Sequence, residues 1–399
     1  MQHMYKPNSD LRVNPGGILA PGQVVGRDKF IEAIWRKLDK QSVLLSSERR
    51  MGKTSVMSKM AEEAPGRRCP IRRSLQGINT PEEFARALVA DVESNLPDVL
   101  SRPILKRLRK AGVKKVGVKS VEVEFEPVSE EAWKSVVVET FETIDAGLDE
   151  RAIFLWDEVP HMVAAIESKR DATTARDMLD ILRYVRETYP STSMVLSGSL
   201  GIHHVVDKLR LQGGMWAPTN DVAMIDVPPL DRPAAVYLAA ELLRNEGISC
   251  DDLDSVSEAI ASEVDCVPYY VHHTVAQLQH RQERGDGPVN SDVVRQTIEE
   301  NLVDPQDPWQ FKHYVDRVPV YYPQEKDLAL AVLDILAETE APRSQAEIEN
   351  LLAARMQPPD ESRLHNLLEL LGKDHYIEPG YRFRLELVRR AWRSRRPPL

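Results

Sequence analysis

The sequence predicts an α/β fold: a mostly parallel sheet sandwiched by helices, followed by a helical domain and a C-terminal winged-helix domain. Three observations carry that expectation. Short continuous apolar runs alternate with helical periodicities up to about residue 227, strand signals then fade, and the last 75 or so residues read as three helices and two short extended runs.

Composition sets the frame. The chain has 399 residues, 42% hydrophobic and 29% charged, which is ordinary globular usage for two or three domains and excludes disordered and collagen-like classes. Its 62 acidic and 52 basic side chains leave a formal charge of −10, which argues against a surface that coats nucleic acid as a whole. Cys69, Cys250 and Cys266 form no C-x-x-C pair, so they suggest neither a disulfide framework nor a zinc ribbon, but reduced thiols of a cytoplasmic protein. No apolar run reaches the roughly 18 residues of a membrane span, and the N-terminus lacks a signal peptide's apolar core, so no membrane association is expected.

Taken in order, residues 1–22 are rich in Asn, Pro and Gly and read as an extended leader. Phe30, Ile31, Ile34, Trp35 and Leu38 recur at helical spacing over 28–39. Ser42 to Ser46 is a buried-strand run leading into SERRMGKTS and then a helical stretch. A second strand, 71–75, precedes a helix capped by Thr80, with Pro81 at its first position and Glu83 three residues after the cap. Residues 96–128 are lysine-rich with a period-two stretch, as in a β-hairpin insertion. A helix over 130–147 leads to the strand Ile153-Phe154-Leu155-Trp156, which ends in Asp157-Glu158; a helix over 173–187 leads to the strand 193–199. Helices are expected at 231–246, 253–263 and 268–283, and the last two extended runs flank Pro379-Gly380.

Strand, glycine-lysine turn and helix follow in the order a phosphate-binding loop requires. In G-x-x-x-x-G-K-[ST], backbone amides of a tight turn face phosphate oxygens, the lysine adds positive charge and the hydroxyl helps hold magnesium. Gly52, Lys53 and Thr54 match, with Ser47 where the first glycine would stand; Arg50, Met51 and Ser55 complete the expected nucleotide contacts. At the strand end about a hundred residues on, Asp157 is the expected magnesium carboxylate, with Thr54, and Glu158 the base that polarises the attacking water. Ser197, ending a third strand, is the candidate to reach the γ-phosphate or that water, giving Glu158, Lys53 and Ser197 as the catalytic set. His161, His203, His204, His272 and His273 have no Cys or His partner at a ligand spacing, so packing is the expected role.

VVGRDKFIEAIWRKL, SERRMGKTS, FLWDE, LSGSLGIHHVV, NDVAMIDVPPL, VPYYVHHTVAQL and YRFRLELVRRAWR, in that order from about Val25 to Arg393, resemble the archaeal-type ATPases of the STAND branch of AAA+ P-loop proteins. The resemblance implies a P-loop AAA+-like ATPase domain over 23–227 (with the 96–128 insertion), a helical lid over 228–310 and a winged-helix domain with a basic tail over 311–399. It implies ATP and Mg²⁺ as cofactors, an adenine pocket lined by Val25, Gly26 and Arg27, and Pro268 as the lid proline, preceded by Cys266-Val267 where relatives carry a glycine pair.

The winged helix raises the question of DNA. From residue 324 onward there are 12 basic and 13 acidic side chains, and the helix best placed for recognition carries Asp360, Glu361 and Glu369 against Arg363 and Lys373. The arginines cluster late, at 382, 384, 389, 390, 393, 395 and 396. Three functions follow as expectations. One is a slowly hydrolysing switch ATPase that relays its nucleotide state to a protein partner or a homo-oligomer. Another is a DNA-associated ATPase of a mobile-element or defence system that uses the winged helix and arginine tail, and the third is a nucleotide-binding scaffold without turnover.

Overall fold

The computed structural model describes residues 6–97, 99, 132–210, 216–357 and 359–396. Beyond Val99, the hairpin expected over 96–128 lies outside them. The described chain divides into two compact units: a sheet unit, 28–46 with 53–227, and a helical unit, in which 228–399 is joined by 1–27 and by the loop 47–52.

In the sheet unit, chain order runs α1 (Asp28–Leu38), β1 (Val43–Ser46), α2 (Lys53–Glu62), β2 (Arg68–Ser74), α3 (Pro81–Asn95), α4 (Ala132–Gly147), β3 (Arg151–Asp157), α5 (Val159–Lys169), α6 (Ala172–Thr188), β4 (Thr192–Ser197), α7 (Ile202–Leu209) and β5 (Ala223–Asp226). The five strands are all parallel in the order β2-β3-β4-β1-β5. Parallel strands need both faces covered, which is why β3 and β4 are almost wholly buried and read as unbroken apolar runs. Phe84 from α3 and Phe141 from α4 meet the β3 aromatics edge-on, at 5.3 Å from Trp156 and 5.1 Å from Phe154. The Thr80 hydroxyl accepts the Glu83 amide at 3.2 Å, and the Glu83 carboxylate accepts the Asn79 amide at 2.7 Å, so the cap legible in sequence fixes where α3 starts. Leu45 of β1 pairs with Ser197 of β4, and Trp156 of β3 with Leu196. That register brings the C-terminal ends of β1, β3 and β4 to one edge of the sheet, where open α/β sheets bind ligands.

The helical unit contains α8 (Arg232–Asn245), α9 (Leu253–Glu263), α10 (Pro268–Glu283), α11 (Ser291–Val303), α12 (Lys312–Asp316), α13 (Val318–Tyr321), α14 (Lys326–Ala337), α15 (Gln345–Ala353) and α16 (Glu361–Lys373). The antiparallel pair β6 (Ile377–Glu378) and β7 (Arg382–Phe383) and then α17 (Glu386–Arg395) complete it. Helices α14 to α16 with the two-stranded wing form the expected winged helix. The leader is docked: Leu11 is fully buried, the Asn8 amide donates to Glu241 at 2.8 Å and the Tyr237 hydroxyl donates to the Lys6 carbonyl at 2.6 Å.

One expectation is corrected. The arginine-rich end is not a solvated tail but the helix α17, which buries Leu387, Val388, Ala391 and Trp392. Its arginines pair with carboxylates of the same unit: Arg389 with Glu386 and Glu340, Arg390 with Glu263 and Glu299, Arg395 with Asp307. Arg396, just beyond it, pairs with Asp334, and Arg382 on the wing with Glu378. Arg393 is exposed. Among the described residues no helix is long and apolar enough to cross a membrane.

Candidate nucleotide site

In the sheet unit the expected magnesium ligands meet. Thr54, on the first turn of α2, donates its hydroxyl to Asp157 Oδ2 at 2.6 Å, although the two are 103 residues apart. Asp157 Oδ1 accepts the Ser197 hydroxyl at 2.5 Å and the Glu158 amide at 3.1 Å. A hydroxyl and a carboxylate in contact at the end of a buried strand form an oxygen donor set of the kind Mg²⁺ takes alongside substrate phosphates. Lys53 opens α2 and is buried, so its cation and the helix N-terminus are at one place. Ser55 follows on the same turn, half-buried.

Ser197 does not fit the role of reaching the γ-phosphate or the attacking water. Its side chain is fully buried and its hydroxyl is given to Asp157, so it orients that carboxylate.

Glu158 stands in the left-handed region, at φ 62°, as the residue before α5. Its Oε2 accepts both the amide and the hydroxyl of Ser199 at 3.1 Å, and His161 Nε2 lies 3.5 Å from the same oxygen and 3.0 Å from the Ser199 hydroxyl. Between Ser197 and Ser199, Gly198 leaves the room this needs: a Cβ there would come within 2.5 Å of Pro160 Cδ.

The loop 47–52 belongs to the helical unit. Arg50 (φ 74°) and Gly52 (φ 88°) give it the positive-φ turns from which successive backbone amides can converge on an anion. Its side chains turn to the unit's own residues. Arg50 is expected as a nucleotide ligand, but its guanidinium donates to the Tyr270 hydroxyl at 3.0 Å, the Trp309 carbonyl and Gln310, and lies 4.5 Å over the Tyr269 ring. Ser47 is buried and gives its hydroxyl to the Glu48 carbonyl at 2.9 Å.

Arg27, nearly inaccessible, donates to the carbonyls of Met51 and Pro228 at 2.8 and 2.9 Å, so it clamps the loop, and burial lowers its pKa to about 10 against the pull of Asp231. Val25 is half-buried and Gly26 makes its turn at φ 70°. Pro268 opens α10, directly after Asp265 and Cys266 at φ 51° and 56° and Val267. The left-handed turn for which glycine is suited is thus present, set one residue before Cys266-Val267 and made by non-glycine residues. Sequence reasoning missed Glu48 and Arg317, whose pairing joins residues too distant in sequence for any local pattern to register.

No protein-family model and no curated protein matches the sequence. Solved structures do. The chain matches the Walker-type ATPase paby2304 of Pyrococcus abyssi with a TM-score of 0.64 at 18% identity, over 96% of this chain and 99% of that one. It matches the ORC2 protein of Aeropyrum pernix, solved as ADPNP and ADP complexes, with a TM-score of 0.54 at 10% identity, over 96% and 97%.

The fold is that of the AAA+ P-loop proteins. Within it, the strand order β2-β3-β4-β1-β5 puts the loop directly after the strand flanked by β4 and β5, and puts Asp157 at the end of the strand beyond β4. The residue types at the strand ends of the sheet unit fit a magnesium-bound polyphosphate: Lys53, Thr54 with Asp157, and the Glu158 carboxylate beside them.

Proposed function

We propose that this protein is an ATP-binding, slowly hydrolysing switch ATPase of the archaeal-type STAND branch, which relays its nucleotide state to a protein partner or to further copies of itself. The observation that carries the proposal is the Thr54–Asp157–Ser197 cluster at the strand ends, directly followed by Glu158. Magnesium-bound ATP would supply the phosphoanhydride and its electrophilic phosphorus. The chain's own residues do the rest. Lys53 and the loop amides bind and orient the phosphates, Thr54 and Asp157 hold the metal, and Ser197 fixes Asp157 in place. Glu158 orients a water and takes its proton at the carboxylate.

The position of that carboxylate supports slow turnover. With Oε2 occupied by the amide and hydroxyl of Ser199, Glu158 must give up two hydrogen bonds before it can serve a water through that oxygen. The same observation favours the scaffold reading as second choice. The test is single-turnover hydrolysis: Glu158→Gln should abolish Mg²⁺-dependent phosphate release and keep ATP binding, while Lys53→Ala should lose binding. Undiminished release by Glu158→Gln rejects the catalytic assignment, and a wild-type chain that binds ATP yet never releases phosphate makes it a scaffold. The DNA-associated reading is weaker, because the arginines it needs at 382, 389, 390, 395 and 396 are already paired with carboxylates.

A further inference from the structure

The phosphate loop carries an acid. Glu48, the residue after Ser47, is 2% exposed, and its carboxylate meets the Arg317 guanidinium at 2.7 Å, with only 10% of the Arg317 side chain exposed. Arg317 stands between α12 and α13, and its other contacts fix it there. Its Nε donates to the Tyr376 hydroxyl at 2.6 Å, its guanidinium lies 4.1 Å over the Tyr376 ring and 5.0 Å over that of Tyr314, and the Tyr376 hydroxyl donates to the Tyr314 carbonyl at 2.6 Å. Tyr376 is the residue before the first wing strand. Burial acts to lower the Arg317 pKa, but Glu48 and the surrounding tyrosines outweigh it and hold the group above its usual value, so the cation is permanent.

A carboxylate in the very loop that is to wrap a polyphosphate opposes binding unless its charge is cancelled, and the opposition grows with each phosphate charge. Of the loop's own arginines, Arg50 is committed to the aromatic cluster. We propose that Arg317 is a positioning residue for polyphosphate binding, which cancels the charge of Glu48 and ties the phosphate loop to the root of the wing. The proposal rests on the nucleotide-binding reading above and names the residue through which the winged helix reaches the phosphate loop.

A double-mutant cycle on the full chain tests it, with Mg²⁺-ATP, Mg²⁺-ADP and AMP as titrants in calorimetry. Arg317→Met should weaken ATP at least about tenfold, ADP less and AMP least, and adding Glu48→Gln should restore ATP affinity to within about threefold of the Glu48→Gln variant alone. A merely structural pair would weaken all three nucleotides alike. The proposal is overturned if Arg317→Met binds ATP like the wild type, if all three weaken equally, or if the double variant is as weak as the single.

Should Arg317→Met fail to fold, because it strands a buried carboxylate, the decision passes to the double variant, in which neither charge is left buried without its partner. It must then bind ATP at least as tightly as the wild type, and weaker binding overturns the proposal. Absence of ATP binding by the wild type would overturn the nucleotide-binding reading itself, whereas wild-type binding with no coupling between the two positions would overturn this inference alone.

Discussion

Gly198 separates the two serines that serve the two carboxylates, Ser197 on Asp157 and Ser199 on Glu158. A methyl group there would sit 2.5 Å from Cδ and 2.9 Å from Cγ of Pro160, so either the strand end or the start of α5 has to move. Gly198→Ala is expected to cost about 1–3 kcal/mol in urea unfolding and, because Glu158 is the residue before α5, to lower single-turnover hydrolysis more than tenfold with ATP binding retained. A variant that hydrolyses ATP at the wild-type rate would show that the contact between this turn and Pro160 is irrelevant to Glu158.

Asp265 is a second test at this scale. Burial raises its pKa to about 6, although the amides of Leu387 (2.7 Å) and Glu386 pull it back. A raised folded-state pKa means that the native chain binds the proton more tightly than the unfolded one, so this group costs stability as pH rises from about 4 through 6. Asp265→Asn keeps an oxygen for the Leu387 amide and removes the charge. It should raise the unfolding free energy at pH 7 by on the order of 1 kcal/mol and give no gain at pH 4, as urea titrations at the two pH values will show.

At the scale of elements, what the sequence made legible was whatever is written locally. Thr80, Pro81 and Glu83 announced the start of α3, and continuous apolar runs announced β1, β3 and β4, because a parallel strand buried on both faces carries no polar alternation. Three elements were not legible for physical reasons. The alternation of β5 is only four residues long, α5 starts on the heels of two carboxylates with Pro160 in its first turn, and α17 hides an apolar stripe under four arginines and a glutamate. The candidate site divides in the same way. Lys53, Thr54 and Asp157 are motif positions, whereas the burial of Ser197 and the seat of Arg50 depend on partners contributed by other elements. The reassignment of the tail to a packed helix has a consequence: Trp392→Ala should cost about 3–5 kcal/mol, since the ring is buried and its Nε1 donates to Asp334 at 2.8 Å, while Arg393→Ala at an exposed position should stay within about 0.5 kcal/mol. Denaturant midpoints that respond equally to both changes would return the segment to the status of a tail.

The whole molecule carries a formal charge of −10, with 12 basic and 13 acidic side chains from residue 324 onward, so the acidity lies almost entirely in the chain before that point. Its stability toward acid draws also on neutral groups. Burial lowers the pKa of His272 to about 4; for His273, burial followed by Arg50 and His272 lowers it to about 4; for His313, burial followed by Arg317 and Arg50 lowers it to about 3. His272 is held as an acceptor by the Asn14 amide at 3.2 Å, and the Nε2 atoms of His273 and His313 are buried without a hydrogen-bond partner. All three lie in the helical unit. Because these folded-state values are depressed, the unfolded chain binds more protons. The stability they contribute is complete above pH 6.5, erodes below it and is gone once the pH has passed the folded values near 4 and 3. Asp265 runs the other way between about pH 6 and 4, but it is one group against three. Unfolding free energy from urea titration should therefore fall by several kcal/mol between pH 7 and 4, while the imidazole proton resonances of these residues stay in their neutral positions until the fold is lost. His273→Phe, which keeps an aromatic ring 4.3 Å from Tyr269 and has nothing to protonate, should shift the acid-unfolding midpoint to lower pH, and an unchanged midpoint would mean that carboxylates rather than histidines set it.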